Sequence, residues 1–173
     1  MSNLPIAELL LYSTMTLATS DQDGEPHAAA VYFAADDDLN FYFFSDLHSQ
    51  HGRDLAHRSQ CAIAIYPECQ DWQDIRGLQL RGEARPIQPG SEWEHVWSVY
   101  KAKFPFVSEM RALVALNQLY VFVPGWVRLV DNRRGFGYKQ EWRRTLRMGD
   151  SALTGWQALG ETPEETGAGH GGA

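Results

Sequence analysis

The residues with the clearest chemical potential follow an aromatic segment, Phe41–Phe44, which continues into Ser45 and Asp46 and then into Ser49-Gln50-His51. Ser49 is predicted to cap the start of a helix. Short hydroxyl groups, an imidazole that can carry a positive charge and the free N–H groups of a helix N-terminus are the groups that bind a phosphate. The segment therefore predicts a phosphate-binding turn. A plain N-cap serine beside an ordinary exposed histidine is the alternative that the residues leave open.

Histidines in the same region raise the question of a metal site, because His48 and His51 are three residues apart and would share a helix face. His57 does not complete the site, since no third ligand has a suitable spacing. Cys61 and Cys69 lie in or just after an apolar segment. We therefore predict no metal site.

The elements that must hold the turn are mostly short strands separated by turn-forming residues. A short helix at Pro5–Tyr12 is predicted to precede strands at Met15–Thr19, His27–Ala34 and Leu39–Phe44, with the turn and a helix at Ser49–Arg58 next. The later elements are predicted as strands at Cys61–Tyr66 and Gly77–Ile87, helices at Ser91–Lys103 and Glu109–Leu116, and strands at Leu119–Val123, Trp126–Asp131 and Phe136–Trp142. Ser91 to Glu94 match a capping box at the helix start. Hairpins without βαβ units indicate a mainly β fold, an antiparallel β-barrel with flanking helices.

Composition limits the size and the class of the protein. With 173 residues, of which 44% are hydrophobic, the chain is long enough for one packed domain. We place that domain at residues 1–147 and predict that 148–173, a glycine- and glutamate-rich tail, is disordered.

Charge and segment lengths exclude several partners. A net charge of −7 without a basic run argues against nucleic-acid binding. No apolar stretch is long enough to span a membrane, and we predict no membrane association. Two cysteines and the lack of a secretory signal favour a cytoplasmic protein with reduced thiols.

The segment Ser45–His51 resembles the phosphate-binding turn of the pyridoxamine 5′-phosphate oxidase family, whose members hold FMN in a split β-barrel. Ser45 and Ser49 match the threonine and serine of that turn, whereas Gln50 and His51 stand where the oxidases have arginine and lysine. Three further blocks, IRGLQLRGEARPI, YKAKFP and DNRRGFGYKQEW, are similar to small bacterial members of the YhbP type, which also have histidine at the lysine position. The resemblance covers Thr14 to Trp142.

This resemblance implies an antiparallel split barrel with FMN as cofactor, a homodimer with the cofactor at the subunit interface, and a small-molecule substrate. It also implies which residues contact FMN. Besides Ser45, Ser49, Gln50 and His51, they are Ala30, Val31 and Tyr32 along the flavin ring, Gly77 and Gln79 across its other side, and Trp126, Asn132 and Arg133 from a segment that reaches the flavin, the dimer interface or both.

The resemblance supports the fold of the oxidases more strongly than it supports their reaction. Tyr100 and Ser108 can be aligned with residues that bind the substrate phosphate in the oxidases, but Phe104 stands in place of their arginine. Phenylalanine cannot replace a bidentate guanidinium group. The Arg-Leu-His-Asp-Arg signature of the oxidases is also absent. We therefore do not expect oxidation of pyridoxamine phosphate.

The expected function is that of an FMN-dependent oxidoreductase that acts on an unknown small molecule. No catalytic side chain is assigned, because the flavin supplies the redox chemistry in such enzymes. A non-catalytic flavin carrier or redox sensor remains an alternative. A related barrel that uses deazaflavin F420 or haem is another.

Overall fold

The computed structural model describes residues 4–110, 114, 116–146 and 153–162, which form one antiparallel sheet with two α-helices. The strands are β1 (Thr14–Ser20), β2 (Pro26–Tyr32), β3 (Ala34–Ala35), β4 (Phe41–Ser45), β5 (Gln60–Ile65), β6 (Arg76–Pro86), β7 (Gln118–Asp131), β8 (Lys139–Leu146) and β9 (Leu153–Thr162). Helix α1 spans Gln50–His57 and α2 spans Ser91–Lys103. Short 3-10 helices lie at Leu9–Leu11, Trp72–Asp74, Pro105–Ser108 and Asn132–Arg134.

The sheet runs in the order β2-β1-β5-β6-β7-β4-β3, and β7 is its branching strand. The first part of β7 pairs with β4 and its second part pairs with β8, while β6 pairs along nearly its whole length. Every pairing is antiparallel, so the strands need no crossover helices between them. The sheet curls into a half-barrel. The predicted mainly β, antiparallel architecture is confirmed.

One face of the sheet fills the main core. Leu17, Ile63, Leu80 and Val127 are register partners across β1, β5, β6 and β7, and none is more than 2% exposed. Strand β4 is covered on both faces, because Tyr42 also lies under α2 in a second apolar cluster. Because both faces of β4 are buried, its sequence is a continuous aromatic run instead of an alternating pattern. The same packing holds the end of the strand, and therefore Ser45, in place.

Strand β7 differs from the prediction of two separate strands. It continues through Pro124 and Gly125, where the β6 register shifts between Arg81 and Gly82. A Cβ atom on Gly82 would lie 2.2 Å from the carbonyl oxygen of Val123, so only glycine permits this close approach. The Pro-Gly pair therefore forms a bulge within one strand instead of ending it.

The helix ends show two more differences. The N-cap of α2 is Gly90, and no side chain caps this end, so the predicted capping box at Ser91 was wrong. The predicted first helix is reduced to turns and the 3-10 helix at Leu9–Leu11. Much of the helix predicted at Glu109–Leu116 lies outside the described residues.

Strand β9 lies within the segment that we predicted as a disordered tail. It pairs with β8 from Lys139 to Leu146. Trp156 packs against the main core, which explains why a glycine-rich segment can form a strand here. Residues 163–173 lie outside the described residues. In the described part of the chain, no helix has the length and apolar character needed to cross a bilayer.

Candidate functional site

The predicted phosphate-binding turn brings three side chains together. The hydroxyl of Ser45, at the end of β4, lies 3.1 Å from the hydroxyl of Ser49 and also hydrogen bonds to Nε2 of His51. Ser49 is the N-cap of α1, as predicted, and its Oγ accepts the backbone N–H of Gly52 at 3.1 Å. The hydroxyl of Ser49 also donates to the carbonyl of Asp46 at 2.7 Å. The result is a compact polar cluster at a helix N-terminus.

Gly52 permits this compactness. A Cβ atom at this position would lie 2.6 Å from the carbonyl oxygen of Asp46 and 2.8 Å from that of Leu47. Both obstacles are backbone atoms, which cannot rotate away as a side chain can. The first turn of α1 therefore packs directly on the turn that follows β4.

His51 is less readily protonated than an ordinary exposed histidine. Partial burial lowers its pKa from the ordinary value of 6.5, and the nearby carboxylate of Asp54 only partly opposes this. An anion at the turn would thus meet two hydroxyl groups, helix N–H groups and an imidazole.

A second polar network lies beside the turn and was not predicted. Asp54 on α1 is 1% exposed and accepts hydrogen bonds from Thr19 at 2.6 Å and from Gln50 at 2.8 Å, and Nδ1 of His27 lies 3.0 Å from it. Burial raises the pKa of Asp54, but the three hydrogen bonds outweigh it and hold the pKa below its ordinary value. Thr19 and His27 are register partners on β1 and β2. The network therefore fastens α1 to the edge of the sheet.

This network also engages Gln50, which was predicted to contact FMN. The amide nitrogen of Gln50 donates to Asp54, and its amide oxygen accepts from Arg53. Arg53 donates in addition to the carbonyl of His48. Asp54 is four residues after Gln50, the spacing of a helical pair, which was the available signal for this contact.

Ala30, Val31 and Tyr32 lie on β2, an edge strand of the sheet. Ala30 and Tyr32 are exposed, whereas Val31 points into the core, so only the backbone of Val31 is available to a ligand. The outer edge of β2 has no partner strand among the described residues, so the backbone N–H and C=O groups that point away from β1 are accessible. The ring of Tyr32 contacts Phe104 edge-on at 5.5 Å.

Gln79 and Trp126 lie on the outer face of β6 and β7. The amide oxygen of Gln79 accepts from Arg128 at 3.3 Å, and Arg128 forms an ion pair with Glu141 at 2.7 Å. The indole N–H of Trp126 donates to the same carboxylate, and the guanidinium of Arg81 lies 4.1 Å from the centre of its ring. At Gly77 a Cβ atom would lie 2.8 Å from the carbonyl oxygen of Ile65.

Asn132 and Arg133 stabilise the turn between β7 and β8. Asn132 donates to the carbonyl of Trp72 at 2.8 Å and accepts the N–H of Gly137 at 3.0 Å. Arg133 forms two hydrogen bonds of 2.8 Å to Asp131 and thereby lowers the pKa of that carboxyl. Within the described ranges, we find no hydrogen bond from Trp126, Asn132 or Arg133 to the cluster around Ser45.

Comparison with known proteins assigns the family. Residues 7–130 match the family model described as pyridoxamine 5′-phosphate oxidase. The chain belongs to the pyridoxamine 5′-phosphate oxidase family. A UPF0306 protein of Klebsiella pneumoniae (strain 342) is 31% identical over 124 residues, which cover 71% of this chain and 80% of the relative.

Solved structures of similar proteins have the same fold. A pyridoxamine 5′-phosphate oxidase-related, FMN-binding protein from Nostoc punctiforme superposes with a TM-score of 0.66 at 15% identity, covering 92% of this chain and 100% of that one. HutZ, a haem storage protein from Vibrio cholerae, superposes with a TM-score of 0.62 at 18% identity, covering 72% and 91%. The predicted split β-barrel of the pyridoxamine 5′-phosphate oxidase family is confirmed.

Proposed function

We propose that this member of the family binds FMN and acts as an oxidoreductase on a small molecule other than pyridoxamine phosphate. The convergence of Ser45, Ser49 and His51 at the N-terminus of α1 carries the proposal. Hydroxyl groups and helix N–H groups are suitable donors for the phosphate of FMN, so the residues present fit the cofactor. The FMN-binding protein from Nostoc punctiforme shares the fold, which supports the assignment.

The chain's own residues would bind and orient the flavin. Ser45 and Ser49 would hydrogen bond to the phosphate, and the accessible backbone of Ala30 to Tyr32 would run along the ring. FMN supplies hydride and electron transfer when it is bound, so the protein needs no acid, base or nucleophile of its own for that step.

The positions that match the oxidases' substrate site argue against pyridoxamine phosphate. Phe104 is 5% exposed and Tyr100 is 4% exposed, and their rings lie 5.1 Å apart in the apolar cluster under α2. The Tyr100 hydroxyl lies 3.5 Å from the carbonyl of Tyr32. Burial raises the pKa of Tyr100 well above its usual range. Neither side chain offers a phosphate the charge or the access that it needs.

The proposal includes a homodimer with the cofactor at the subunit interface. Several large apolar side chains are exposed, among them Phe136 at 73%, Tyr66 at 63% and Trp72 at 52%. Trp72 and Phe136 lie together, with ring centres 5.4 Å apart. Soluble monomers seldom expose such patches, and a second copy of the chain would cover them. Sedimentation of the purified protein measures this state.

Haem is a second candidate cofactor, because the similarly folded HutZ is a haem storage protein. The absorption spectrum separates the two cofactors, since haem has a Soret band and FMN has flavin bands. A purified protein with a Soret band that withstands FMN addition would replace the flavin proposal.

FMN titration tests the proposed function. We expect saturable binding, and reduction of the bound flavin by NADH or NADPH. Ser49→Gly removes one hydroxyl at small cost to the helix cap and should weaken FMN binding about tenfold, the effect of roughly 1.4 kcal/mol. Ser98→Ala, on the exposed side of α2, is the matched control and should bind FMN normally. Absence of binding by the wild-type protein would refute the flavin assignment, and binding without reduction would favour a flavin carrier or sensor.

His51→Lys tests the role of the imidazole through pH. The pKa of His51 is lowered by burial, so the side chain gains its positive charge only as the pH falls below its ordinary value of 6.5. At about pH 8 a lysine would be charged and His51 neutral. The variant should therefore bind FMN about tenfold more tightly there, and the difference should shrink toward about pH 5.5. A ratio of the two affinities that stays constant with pH would exclude His51 as the cation that binds the phosphate.

A further inference from the structure

A cleft of about 800 Å³ lies beside the bulge of β6 and β7. Arg58, Arg81 and Arg144 line it from the end of α1 and from strands β6 and β8, and Pro124 and Trp126 provide apolar surface. None of the residues that line this cleft belongs to the cluster of Ser45, Ser49 and His51. Its volume suits a small organic molecule.

No ion pair among the described residues neutralises the three arginines of the cleft. Within the described ranges, none of them forms an ion pair with a carboxylate, whereas Arg76, Arg85, Arg128 and Arg133 each do. The acidic residue that lines the cleft is Glu83. In a chain with a net charge of −7, this cleft is locally positive.

Arg144 is the most constrained of the three. It is 7% exposed, and its guanidinium donates only to uncharged groups, the side-chain oxygen of Asn40 and the carbonyl of Asp38. Its Nε atom has no partner among the described residues. Burial lowers the pKa of Arg144, and the nearby carboxylates of Asp36 and Asp38 only partly oppose this. Arg144 makes no direct ion pair with a described carboxylate, and burying a cation in this way is costly. An anion in the cleft would reduce that cost.

The guanidinium of Arg81 is oriented so that it can bind an anion. It stacks on the ring of Trp126 at 4.1 Å, which orients the planar group. We find no hydrogen bond from this guanidinium to any described residue, so its N–H groups remain available to a ligand. Arg58 contributes a second exposed guanidinium, with a contact of 3.3 Å to the hydroxyl of Ser20.

We propose that this cleft binds an organic anion, a small molecule that joins a carboxylate or phosphate group to an apolar or aromatic body. The arginines would bind the anionic group, and Trp126 and Pro124 would contact the body. This site is separate from the proposed phosphate-binding turn around Ser45 and does not depend on it. We therefore assign Trp126 to this second ligand, whereas the resemblance implied a contact with the flavin.

Calorimetric titration with phenyl phosphate and with benzoate tests the proposal, using the protein as purified, with and without excess FMN. We expect saturable binding of at least one probe, and the preferred probe identifies the anionic group. Arg58→Gln and Arg81→Gln should each weaken binding about tenfold, the loss expected for one charge-assisted hydrogen bond. Both side chains are exposed, so the variants should unfold at the wild-type temperature.

Two controls make the result specific. Arg134→Gln removes the same charge at an exposed position outside the cleft and should leave binding unchanged. Ser49→Gly alters the turn around Ser45 and should also leave it unchanged. The proposal fails if neither probe binds, if the cleft variants bind as well as the wild type, or if Ser49→Gly or added FMN abolishes probe binding.

Discussion

Gly52→Ala should destabilise the fold and, at the same time, weaken the proposed binding of FMN. Alanine normally stabilises a helix interior relative to glycine by about 0.5–1 kcal/mol. Here the added methyl group would lie 2.6 Å from the Asp46 carbonyl, so α1 must move away from the turn. We expect a net loss of about 1–3 kcal/mol in the free energy of unfolding, the usual cost of overpacking. Denaturant unfolding measures this loss, and FMN titration measures the accompanying change in the turn.

Gly125→Ala is the matched control for this substitution. A Cβ atom at Gly125 meets no atom within 4 Å, and the residue does not have a positive φ angle. Its stability should therefore stay close to that of the wild-type protein. Equal stability of Gly52→Ala and Gly125→Ala would show that α1 does not press on the turn as described.

Asp54→Ala should produce the other large loss. Thr19 is buried and would keep a hydroxyl without an acceptor, and Gln50 and His27 would lose their shared partner. We expect the free energy of unfolding to fall by about 3 kcal/mol, because each unsatisfied buried group costs about 1–3 kcal/mol. The loss is measured by denaturant unfolding near neutral pH.

The pH dependence of the free energy of unfolding tests whether the charge of Asp54 stabilises the fold. Its folded pKa is below the ordinary value of 3.8, so the wild-type protein gains stability from this group above that value and loses it as the pH falls through the lowered pKa. Asp54→Asn keeps the shape but cannot titrate. Its stability should change less than that of the wild type between about pH 5 and pH 2. Parallel acid unfolding curves would contradict the assignment.

Local signals predicted the part of the site that is built from neighbouring residues. Ser49 caps α1 as expected, and Ser45 and His51 join it because strand, turn and helix follow one another within a few residues. The network of Asp54 was missed because Thr19 and His27 reach it only through the pairing of β1 and β2. Such contacts depend on which strands pair and on how α1 packs against them, and the pattern within one segment does not show either.

In the fold, too, local features were predicted and features that depend on a distant segment were not. Alternating and aromatic segments predicted most strands, but Pro124 and Gly125 suggested a break where the structure has a bulge. Gly82 on the neighbouring strand leaves room for that bulge. The sequence around Pro124 alone does not show that a glycine lies opposite it. Strand β9 was missed because its composition resembles a disordered segment, although Trp156 packs against the main core.

The exposed edge of strand β2 also affects the tendency of the protein to aggregate. An uncovered strand edge can pair with the edge of another chain and start aggregation, and lysine or a bulge commonly guards against this. Ala28 to Ala30 provide no such guard along the middle of β2. A flavin lying along this strand would therefore act as a protective cap, so cofactor supply during synthesis would influence the yield of soluble protein as well as its colour.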